Sequence, residues 1–379
     1  MRILVDENIP YIEHFFQDCL NDVEYFKDKE FEINMVKEDS VVITRSTYKT
    51  HGMKISDSVK FLCSASTGED HIDKKTLDEL KIPYAFSTGA NAIAVREYVL
   101  STLAVMLQEQ KFNKNLNSIG IFGCGNIGGG ICEVLSHFGF EFYVEDPFLD
   151  HGWKCLDEYL WSFSKRDDHG QLPSALNFIS LHVPLHYHDE FPTNSLISKH
   201  FLQNLADGAI IINTSRGGVV SEKDFLELDD DRHYIRLISD VFENEPNINE
   251  DFFNKNLFAT PHIAGHSQFA RYQMTKMAYE NVMNFLGQDI SERNSILENR
   301  IINFEKNIFD KDMDKFGLPV TLMLDTYNPK SDVFNYKDFK KVRDNYNNRI
   351  GYSQVIIKGC SEVADRENLK LLGFTVEEN

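Results

Sequence analysis

The stretch "SIGIFGCGNIGGGICEVL", residues 118–135, is the part of this chain that is most informative about its fold. It opens with an apolar segment that predicts a buried strand, and it closes with apolar residues at helical spacing. Gly123, Gly125 and Gly128 lie between the two segments at the spacing of a dinucleotide-binding turn. In such a turn the first glycine permits a tight bend, the second lets the backbone approach a pyrophosphate, and the third lets helix and strand pack closely. The stretch therefore predicts a nucleotide site at the start of a helix.

A carboxylate follows this turn at the distance that a nucleotide site requires. The next apolar segment, residues 140–146, ends at Asp146, which lies 18 residues after Gly128. At that position a carboxylate accepts hydrogen bonds from the adenosine ribose and repels a 2′-phosphate. The sequence therefore favours NAD over NADP as the cofactor.

The rest of the chain alternates short apolar segments with polar segments of helix length, which predicts an α/β fold. Most apolar segments are nearly continuous, as in parallel strands that helices cover on both faces. Two longer segments, residues 91–112 and 267–287, are predicted helices. The predicted strands are residues 2–5, 41–44, 59–65, 82–87, 118–123, 140–146, 175–183, 208–215, 234–241 and 256–262.

The residues after about position 290 form a third region, which is more polar in composition. Its pattern predicts a strand, a helix, a second strand and a second helix, and therefore a small additional domain. These four elements are predicted at residues 319–326, 338–346, 353–359 and 361–373.

Composition argues against several classes of protein. The chain has 379 residues, of which 42% are hydrophobic, and it carries a formal net charge of -20. No apolar run is long enough to span a bilayer and no run of lysines and arginines offsets the charge, so we expect neither membrane nor nucleic-acid partners. The cysteines form no C-x-x-C pair, so we expect no metal site and no disulfide framework, which fits a reducing cytoplasm. The cysteines are Cys19, Cys63, Cys124, Cys132, Cys155 and Cys360.

Three polar side chains follow predicted strands in the second half of the chain. Arg216, Glu245 and His262 each lie beyond such a strand, at the carboxyl edge where ligands of open α/β sheets bind. A guanidinium there can bind a carboxylate through two hydrogen bonds, and a glutamate beside a histidine can orient the ring for proton transfer. The alternatives are a surface arginine that caps a helix and two separately solvated side chains. Together with a nicotinamide site, the three residues suffice to oxidise a 2-hydroxy acid.

The order of the motifs resembles the D-isomer-specific 2-hydroxyacid dehydrogenase family. The matching stretches are "GCGNIG", "EDP", "HVPL", "NTSRGGVV", "DVFENEP" and "TPHIAG". The resemblance implies two doubly wound, Rossmann-like domains with parallel sheets and a small α+β C-terminal domain that dimerises. The implied boundaries are residues 1–98 and 263–288 for a substrate-binding domain, 99–262 for an NAD-binding Rossmann domain, and 289–379 for the dimerisation domain.

The same resemblance implies roles for individual residues. Arg216 binds the substrate, Glu245 orients the histidine, and His262 is the acid/base. Ser46, Ser66 and His266 contact the substrate, although Ser66 and Val183 replace an expected threonine and His266 replaces an expected tyrosine. The implied NAD-binding residues are Gly123, Gly125, Asn126, Ile127, Gly128, Asp146, Val183, Thr214, Ser215, Arg216, Asp240 and Gly265.

The stretches "VDENIPY", "STGEDHID" and "GANAIAVREYV" and the C-terminal region resemble one group within this family. What this resemblance implies is the NAD-dependent oxidation of 4-phospho-D-erythronate to (R)-3-hydroxy-2-oxo-4-phosphooxybutanoate, a reaction of pyridoxal 5'-phosphate (vitamin B6) biosynthesis. One alternative is a dehydrogenase for another phosphorylated 2-hydroxy acid, such as 3-phosphoglycerate. Another is an NAD-sensing protein that binds a partner.

Two further expectations concern partners. We expect a homodimer that forms partly through residues 289–379, because a small domain with apolar strands usually needs a partner surface. A phosphorylated substrate also needs a cation in this acidic chain. The candidates are Arg45, or Arg343 or Arg349 across the dimer.

Overall fold

The computed structural model describes residues 1–16, 23–148, 176–187, 190–228, 234–346 and 349–377. The chain divides into two compact units. The first comprises Met1–Ala92 and Ser267–Glu298, and the second comprises Ile93–His266 and Asn299–Asn379. The division into three domains inferred from the sequence stays a prediction.

The described strands are β1 (Arg2–Asp6), β2 (Val23–Phe26), β3 (Ser40–Thr44), β4 (Val59–Ser64), β5 (Tyr84–Phe86), β6 (Ser118–Phe122), β7 (Phe142–Glu145), β8 (Leu176–Leu181), β9 (Ile210–Asn213), β10 (Arg236–Ser239), β11 (Asn256–Ala259), β12 (Arg300–Asn303), β13 (Val355–Lys358) and β14 (Thr375–Val376). They form three sheets with the orders β2-β1-β3-β4-β5, β11-β10-β9-β8-β6-β7 and β12-β13-β14. All pairs in these sheets are parallel, which confirms the predicted α/β class.

The described α-helices are α1 (Ile12–Phe16), α2 (Lys74–Leu80), α3 (Ala92–Gln108), α4 (Gly128–His137), α5 (Lys199–Gln203), α6 (Glu222–Leu226), α7 (Glu250–Lys255), α8 (Gln268–Leu286), α9 (Lys306–Phe316), α10 (Val320–Thr326), α11 (Phe339–Asn345) and α12 (Val363–Leu372). The two long predicted helices are confirmed as α3 and α8. Within the described ranges, none of the helices combines the length and apolar character needed to cross a membrane.

The six-stranded sheet of the second unit brings the ends of five strands into one row. Phe122, Leu181, Asn213, Ser239 and Ala259, the last residues of β6, β8, β9, β10 and β11, are paired in register. Of these strands, β6, β8, β9 and β10 are almost entirely buried, as expected for a parallel sheet with both faces covered. The residues that follow them therefore meet at one edge, and they are Gly123, His182, Thr214, Asp240 and Thr260.

One strand of the first unit was not predicted from the sequence. β2 lies at the edge of its sheet, and its two end residues are half-buried while its two central residues are exposed. An edge strand with little buried surface carries no apolar run, so its sequence resembles that of a loop. The other four strands of this sheet lie within or overlap the predicted segments.

The C-terminal part of the second unit corrects one prediction. Residues 319–326 were expected to form a strand, but they contain helix α10. Val320 and Met323, three positions apart, are its buried residues, so helical packing overrides the β propensity of the segment. The predicted helix at residues 338–346 and strand at 353–359 are confirmed as α11 and β13. Strand β12 was missed because it is an exposed edge strand.

Candidate active site

The three glycines after β6 have the geometry that a dinucleotide turn requires. Gly123 has a φ of +87°, and a Cβ added there would lie 2.8 Å from the carbonyl oxygen of His182. A Cβ at Gly128 would lie 1.9 Å from the carbonyl oxygen of Gly123, so only glycine permits this packing of helix on strand. A Cβ at Gly125 would meet no atom within 4 Å. The space above Gly125 fits a pyrophosphate that approaches the backbone.

Asp146 anchors this turn through its carboxylate. One oxygen accepts a hydrogen bond from the backbone N–H of Cys124 at 2.7 Å, and the other accepts one from Phe148 at 3.0 Å. The side chain is half-buried, and an ionised carboxylate offers about four acceptor positions, so it can also accept hydrogen bonds from a ribose. Val183 lies beside the turn, and its Cγ1 would be 3.1 Å from a Cβ at Gly123.

The segment after β9 carries the next group of predicted residues. The Oγ of Ser215 donates to Asn213 at 2.7 Å, and Asn213 in turn donates to the carbonyl oxygen of Arg216 at 3.0 Å. The guanidinium of Arg216 is half-buried and donates to the Ser215 carbonyl oxygen at 2.9 Å. The buried Oγ1 of Thr214 has no hydrogen-bond partner among the described residues. An unsatisfied hydroxyl at this edge fits a site for a polar cofactor.

Glu245 and His262, predicted as a pair, are in direct contact. Nδ1 of His262 lies 2.7 Å from Oε2 of Glu245, while Oε1 of Glu245 accepts the backbone N–H of Phe242 at 3.0 Å. Burial favours the neutral carboxyl, but the hydrogen bond and charge of His262, together with Arg343, outweigh it and lower the pKa of Glu245. The carboxylate is therefore ionised at neutral pH. It can fix the orientation of the imidazole ring.

The backbone of His262 is held in an uncommon conformation. Its φ is +57°, in the left-handed region that residues other than glycine rarely occupy. Its N–H donates to the carbonyl oxygens of Asp240 at 2.7 Å and Thr260 at 3.0 Å. Such strain persists only where surrounding contacts determine the conformation.

The carboxylate of Asp240 supplies several of these contacts. One of its oxygens accepts the N–H of Ile263 and the hydroxyl of Thr260, both at 2.7 Å, and the other accepts the N–H of Ala264 at 2.9 Å. Burial raises the pKa of Asp240, although the charge of His262 and these hydrogen bonds oppose the shift. Asp240 thus organises residues 260–266, which we call the histidine loop. Gly265, which is buried, and the half-buried His266 belong to the same loop.

The predicted substrate residues Ser46 and Ser66 lie in the first unit and differ in accessibility. Ser46 is exposed, just beyond β3. Ser66 is buried, and its hydroxyl lies 2.8 Å from Oγ of Ser64 and donates to the carbonyl oxygen of Gly68 at 2.9 Å. Nε2 of His71 also lies 2.8 Å from Oγ of Ser64. Ser66 thus belongs to a buried hydroxyl and imidazole cluster.

Arg45 and Arg271 place two cations in the first unit. Nε of Arg45 donates to the buried carboxylate of Asp6 at 2.7 Å, and the Arg45 side chain remains 29% exposed. Burial lowers the pKa of Arg271, the charge of Tyr11 opposes this, and the positive charge of Arg45 adds to it. Arg271 was not singled out from the sequence, because it lies within a helix and in no recognised motif.

The structure changes the interpretation of two C-terminal arginines. The Arg349 side chain is only 1% exposed and faces Glu97 at 3.5 Å, so the hypothesis that it binds the substrate phosphate is wrong. Nη1 of Arg343 lies 3.9 Å from Oε2 of Glu245 in the same chain. Each arginine lies far along the chain from the glutamate that it faces, so no spacing rule could have found these contacts.

The geometry agrees with the comparisons with known proteins. The protein-family model described as D-isomer specific 2-hydroxyacid dehydrogenase, NAD binding domain, matches residues 103–264. The erythronate-4-phosphate dehydrogenase of Wigglesworthia glossinidia brevipalpis is 30% identical over 385 residues, covering 99% of this chain and 98% of that protein. The erythronate-4-phosphate dehydrogenase of Blochmanniella floridana is 31% identical over 381 residues, covering 94% of this chain and 95% of that protein.

A solved structure supports the fold. The NAD-dependent formate dehydrogenase of Staphylococcus aureus in complex with NAD aligns with a TM-score of 0.55 and 19% identity. The alignment covers 98% of that chain but 77% of this one. Nearly a quarter of this chain therefore has no counterpart in that structure, whereas the two relatives align over nearly the whole chain.

Proposed function

This chain belongs to the erythronate-4-phosphate dehydrogenases, within the D-isomer-specific 2-hydroxyacid dehydrogenase family, and we propose that it oxidises 4-phospho-D-erythronate. It is an NAD-dependent dehydrogenase, and NAD is its cofactor. The proposed product is (R)-3-hydroxy-2-oxo-4-phosphooxybutanoate, formed on the route to pyridoxal 5'-phosphate. The observation that supports this chemistry most directly is the 2.7 Å contact between His262 and Glu245.

The residues after β6, β7 and β9 are proposed to hold the cofactor. The turn at Gly123, Gly125 and Gly128 would receive the pyrophosphate, Asp146 the ribose, and the Thr214 hydroxyl another polar group. When bound, NAD supplies the acceptor for the hydride that leaves C2 of the substrate. Asn126, Ile127, Val183, Ser215, Asp240 and Gly265 complete the proposed NAD-binding set.

Proton transfer is assigned to His262. Because Nδ1 faces Glu245, the second ring nitrogen, Nε2, is the atom that accepts the C2 hydroxyl proton as the C2 carbonyl forms. Glu245 orients the ring and stabilises the imidazolium that results. Arg216 binds the substrate carboxylate and polarises the developing carbonyl oxygen, while the Asp240 contacts hold the histidine loop in place. The proposed roles of Ser46, Ser66 and His266 are substrate contacts.

The phosphate of the substrate is assigned to Arg45. Its Nε donates to Asp6 and its Nη2 lies 4.0 Å from the carboxylate of Asp28, but the guanidinium remains 29% exposed and can face a phosphate. Arg271 adds a second positive charge near Arg45. Two guanidinium groups together can neutralise a phosphate dianion better than one.

We further propose a cytoplasmic homodimer that forms through residues 289–379. β12 is an edge strand of the C-terminal sheet, and its Ile301 side chain is 58% exposed. An uncovered edge strand with an exposed apolar side chain favours association with a second chain. Light scattering at micromolar concentration tests this, and a monomer would contradict it.

The activity is tested by following NADH formation at 340 nm. The substrates are 4-phospho-D-erythronate, D-erythronate without the phosphate, and 3-phosphoglycerate, each with the parent and the His262→Ala variant. We expect turnover of 4-phospho-D-erythronate that the variant nearly abolishes, and a far lower kcat/KM for the other two acids. Preference for 3-phosphoglycerate would replace the proposed substrate. No turnover of any acid, with NAD binding intact, would favour an NAD-sensing role.

A further inference from the structure

Arg349 lies at the centre of a buried polar network that joins the C-terminal segment, residues 299–379, to the histidine loop. Its Nη1 donates to the carbonyl oxygen of Ala264 at 2.8 Å, and its Nη2 donates to that of Ala94 at 2.6 Å. The guanidinium also stacks on Tyr327, with Cζ 4.0 Å from the ring centroid. This guanidinium thus connects α3 with the loop that carries His262.

The peptide units on both sides of Ala264 are held by charged groups. The N–H of Ala264 donates to the carboxylate of Asp240 at 2.9 Å, and its carbonyl oxygen accepts from Arg349. Hydrogen bonds to ionised groups are stronger than neutral ones. The two contacts fix the backbone just two residues after His262, whose positive φ requires such support.

The network continues into α3 through Glu97. Its carboxylate lies 3.5 Å from Nη2 of Arg349 and accepts the backbone N–H of Tyr352 at 2.9 Å. Burial raises the pKa of Glu97 to about 7, although the charge of Arg349 and the Tyr352 hydrogen bond oppose the shift. A second connection runs from the hydroxyl of Tyr98 to Thr260 at 2.7 Å. The histidine loop is therefore connected to α3 directly at Thr260 and through Arg349 at Ala264.

We infer that Arg349 is a positioning residue, through which the C-terminal segment holds the histidine loop in the conformation that presents His262 for proton transfer. The inference rests on the proposed function, because it takes His262 as the acid/base. It gives the C-terminal segment a role in catalysis in addition to dimerisation. All contacts that support this role lie within one chain, so it does not depend on the homodimer.

The geometry requires arginine rather than a positive charge alone. Two nitrogens of one rigid, planar group donate to two different carbonyl oxygens while the same group faces Glu97. A lysine keeps the charge beside Glu97 but is a compact ammonium that cannot reproduce this arrangement. Arg349→Lys therefore separates the positioning role from simple charge neutralisation.

The test compares Arg349→Lys with the parent in two measurements. Hydrogen exchange followed by mass spectrometry, on peptides that cover residues 260–266, reports on the loop without substrate. We expect faster exchange in those peptides and a kcat lowered roughly 10- to 100-fold, the range for a small misplacement of a catalytic group. Parent-like exchange, or faster exchange with an unchanged kcat, would overturn the inference. If the parent oxidised no 2-hydroxy acid, the proposed function would fail. Hydrogen exchange alone would still test whether Arg349 holds the histidine loop in place.

Tyr352→Phe is the matched control in the same segment. It removes the buried hydrogen bond, 2.6 Å long, between the Tyr352 hydroxyl and Ser101, and neither of these residues is part of the histidine loop. We expect parent-like exchange at residues 260–266 and a kcat within about twofold of the parent. An equal loss in this control would mean that any loosening of the segment impairs the loop, and Arg349 would have no special role.

A second variant keeps the test decisive if Arg349→Lys folds poorly. The double substitution Glu97→Gln with Arg349→Met removes both charges, which buried sites often tolerate better than the loss of one partner. The glutamine can still accept the Tyr352 N–H. We again expect faster exchange in the loop and a lowered kcat in the folded protein. A folded double variant with the exchange and kcat of the parent would contradict the inference.

Discussion

Nδ1 of His262 lies 2.7 Å from Oε2 of Glu245, although the two residues follow different strands. Because the pKa of Glu245 is lowered, the carboxylate stays ionised throughout the pH range in which a histidine titrates. It stabilises the imidazolium, whereas oxidation of a hydroxy acid requires the neutral ring. The parent kcat/KM should therefore rise with pH and then level.

Glu245→Gln should move this rise to lower pH, because the imidazolium loses its anionic partner. The plateau should also fall, since the ring loses the acceptor that fixes its orientation. His262→Ala should lose roughly two to four powers of ten in kcat/KM. The measurement is a pH profile of kcat/KM from about pH 5 to 9 for the parent and Glu245→Gln. A rise that stays in place or moves to higher pH would mean that the pair does not act as a unit.

Arg343→Gln should move the same rise in the opposite direction. The guanidinium lies 3.9 Å from the oxygen that binds His262, so its charge disfavours the imidazolium. Removing it should shift the half-plateau pH upward, and salt should weaken the effect. Asp240 and Glu222 are present in both proteins, so they do not account for a difference between the two profiles. Burial raises the pKa of both carboxyls, and that of Glu222 to about 7.

Lys340→Gln is the control for this shift, because it removes one positive charge from the same helix. Lys340 is exposed and pairs with Asp344. Its pH profile should match that of the parent. If Arg343→Gln instead raised the substrate KM without moving the profile, Arg343 would be a substrate contact.

Asp146 should set a preference for NAD over NADP of at least about tenfold, because its charge repels a 2′-phosphate. Asp146→Ser should narrow the ratio of the two kcat/KM values. Asp146→Asn is the better-matched change, since its amide oxygen can still accept the Cys124 N–H that anchors the turn. Equal use of both cofactors by the parent would remove Asp146 from the ribose site.

Two alanine substitutions in the glycine turn should have different effects. Gly125 has open space and no positive φ, so Gly125→Ala should leave the melting temperature unchanged but raise the KM for NAD about tenfold or more. Gly128→Ala places a Cβ 1.9 Å from a carbonyl oxygen, so the main chain must move and the melting temperature should also fall. Thermal unfolding and NAD kinetics on both variants distinguish these outcomes. An unchanged KM in Gly125→Ala would place the pyrophosphate elsewhere.

Stability should fall as the pH drops below about 6.5, in part because His71 is buried in neutral form. Burial lowers the pKa of His71 from 6.5 to about 4, although the charge of Asp70 opposes this shift. Between these values the unfolded chain binds the proton and the folded one does not, which costs up to roughly 3 kcal/mol. Urea unfolding of the parent and His71→Gln at pH 7 and pH 4.5 should show a smaller loss in the variant. Equal losses would contradict the prediction.

Sequence patterns predicted the elements whose formation depends on neighbouring residues. The strand, glycine turn and helix at residues 118–135 were recognisable because each glycine acts on atoms close to it in the chain. The family, the α/β class and the NAD cofactor were predicted from such motifs and are confirmed. The roles of individual site residues, the formation of a homodimer and the cytoplasmic location of the protein stay predictions.

The sequence pattern missed or mispredicted elements whose burial depends on distant parts of the fold. The edge strands β2 and β12 bury little surface, and their four-residue segments mix apolar with polar side chains, so neither was recognised as a strand. Helix α10 has β-branched and apolar residues that favour a strand, but its packing buries Val320 and Met323 on one helical face. In each case the rest of the fold, rather than the segment, sets the outcome.

The order of strands along the sequence was enough to predict that Glu245 and His262 follow neighbouring strands and meet, because parallel strands bring their carboxyl ends to one edge. The groups that surround this pair could be identified in the folded structure but not in the sequence. Arg343 approaches Glu245 from the C-terminal segment, and Arg349 from the same segment binds the carbonyl oxygen of Ala264. The carboxylate of Asp240 accepts hydrogen bonds from the backbone of the histidine loop. These contacts join residues far apart in the chain. They depend on how helices pack on a sheet, which neither hydrophobic period nor motif spacing encodes.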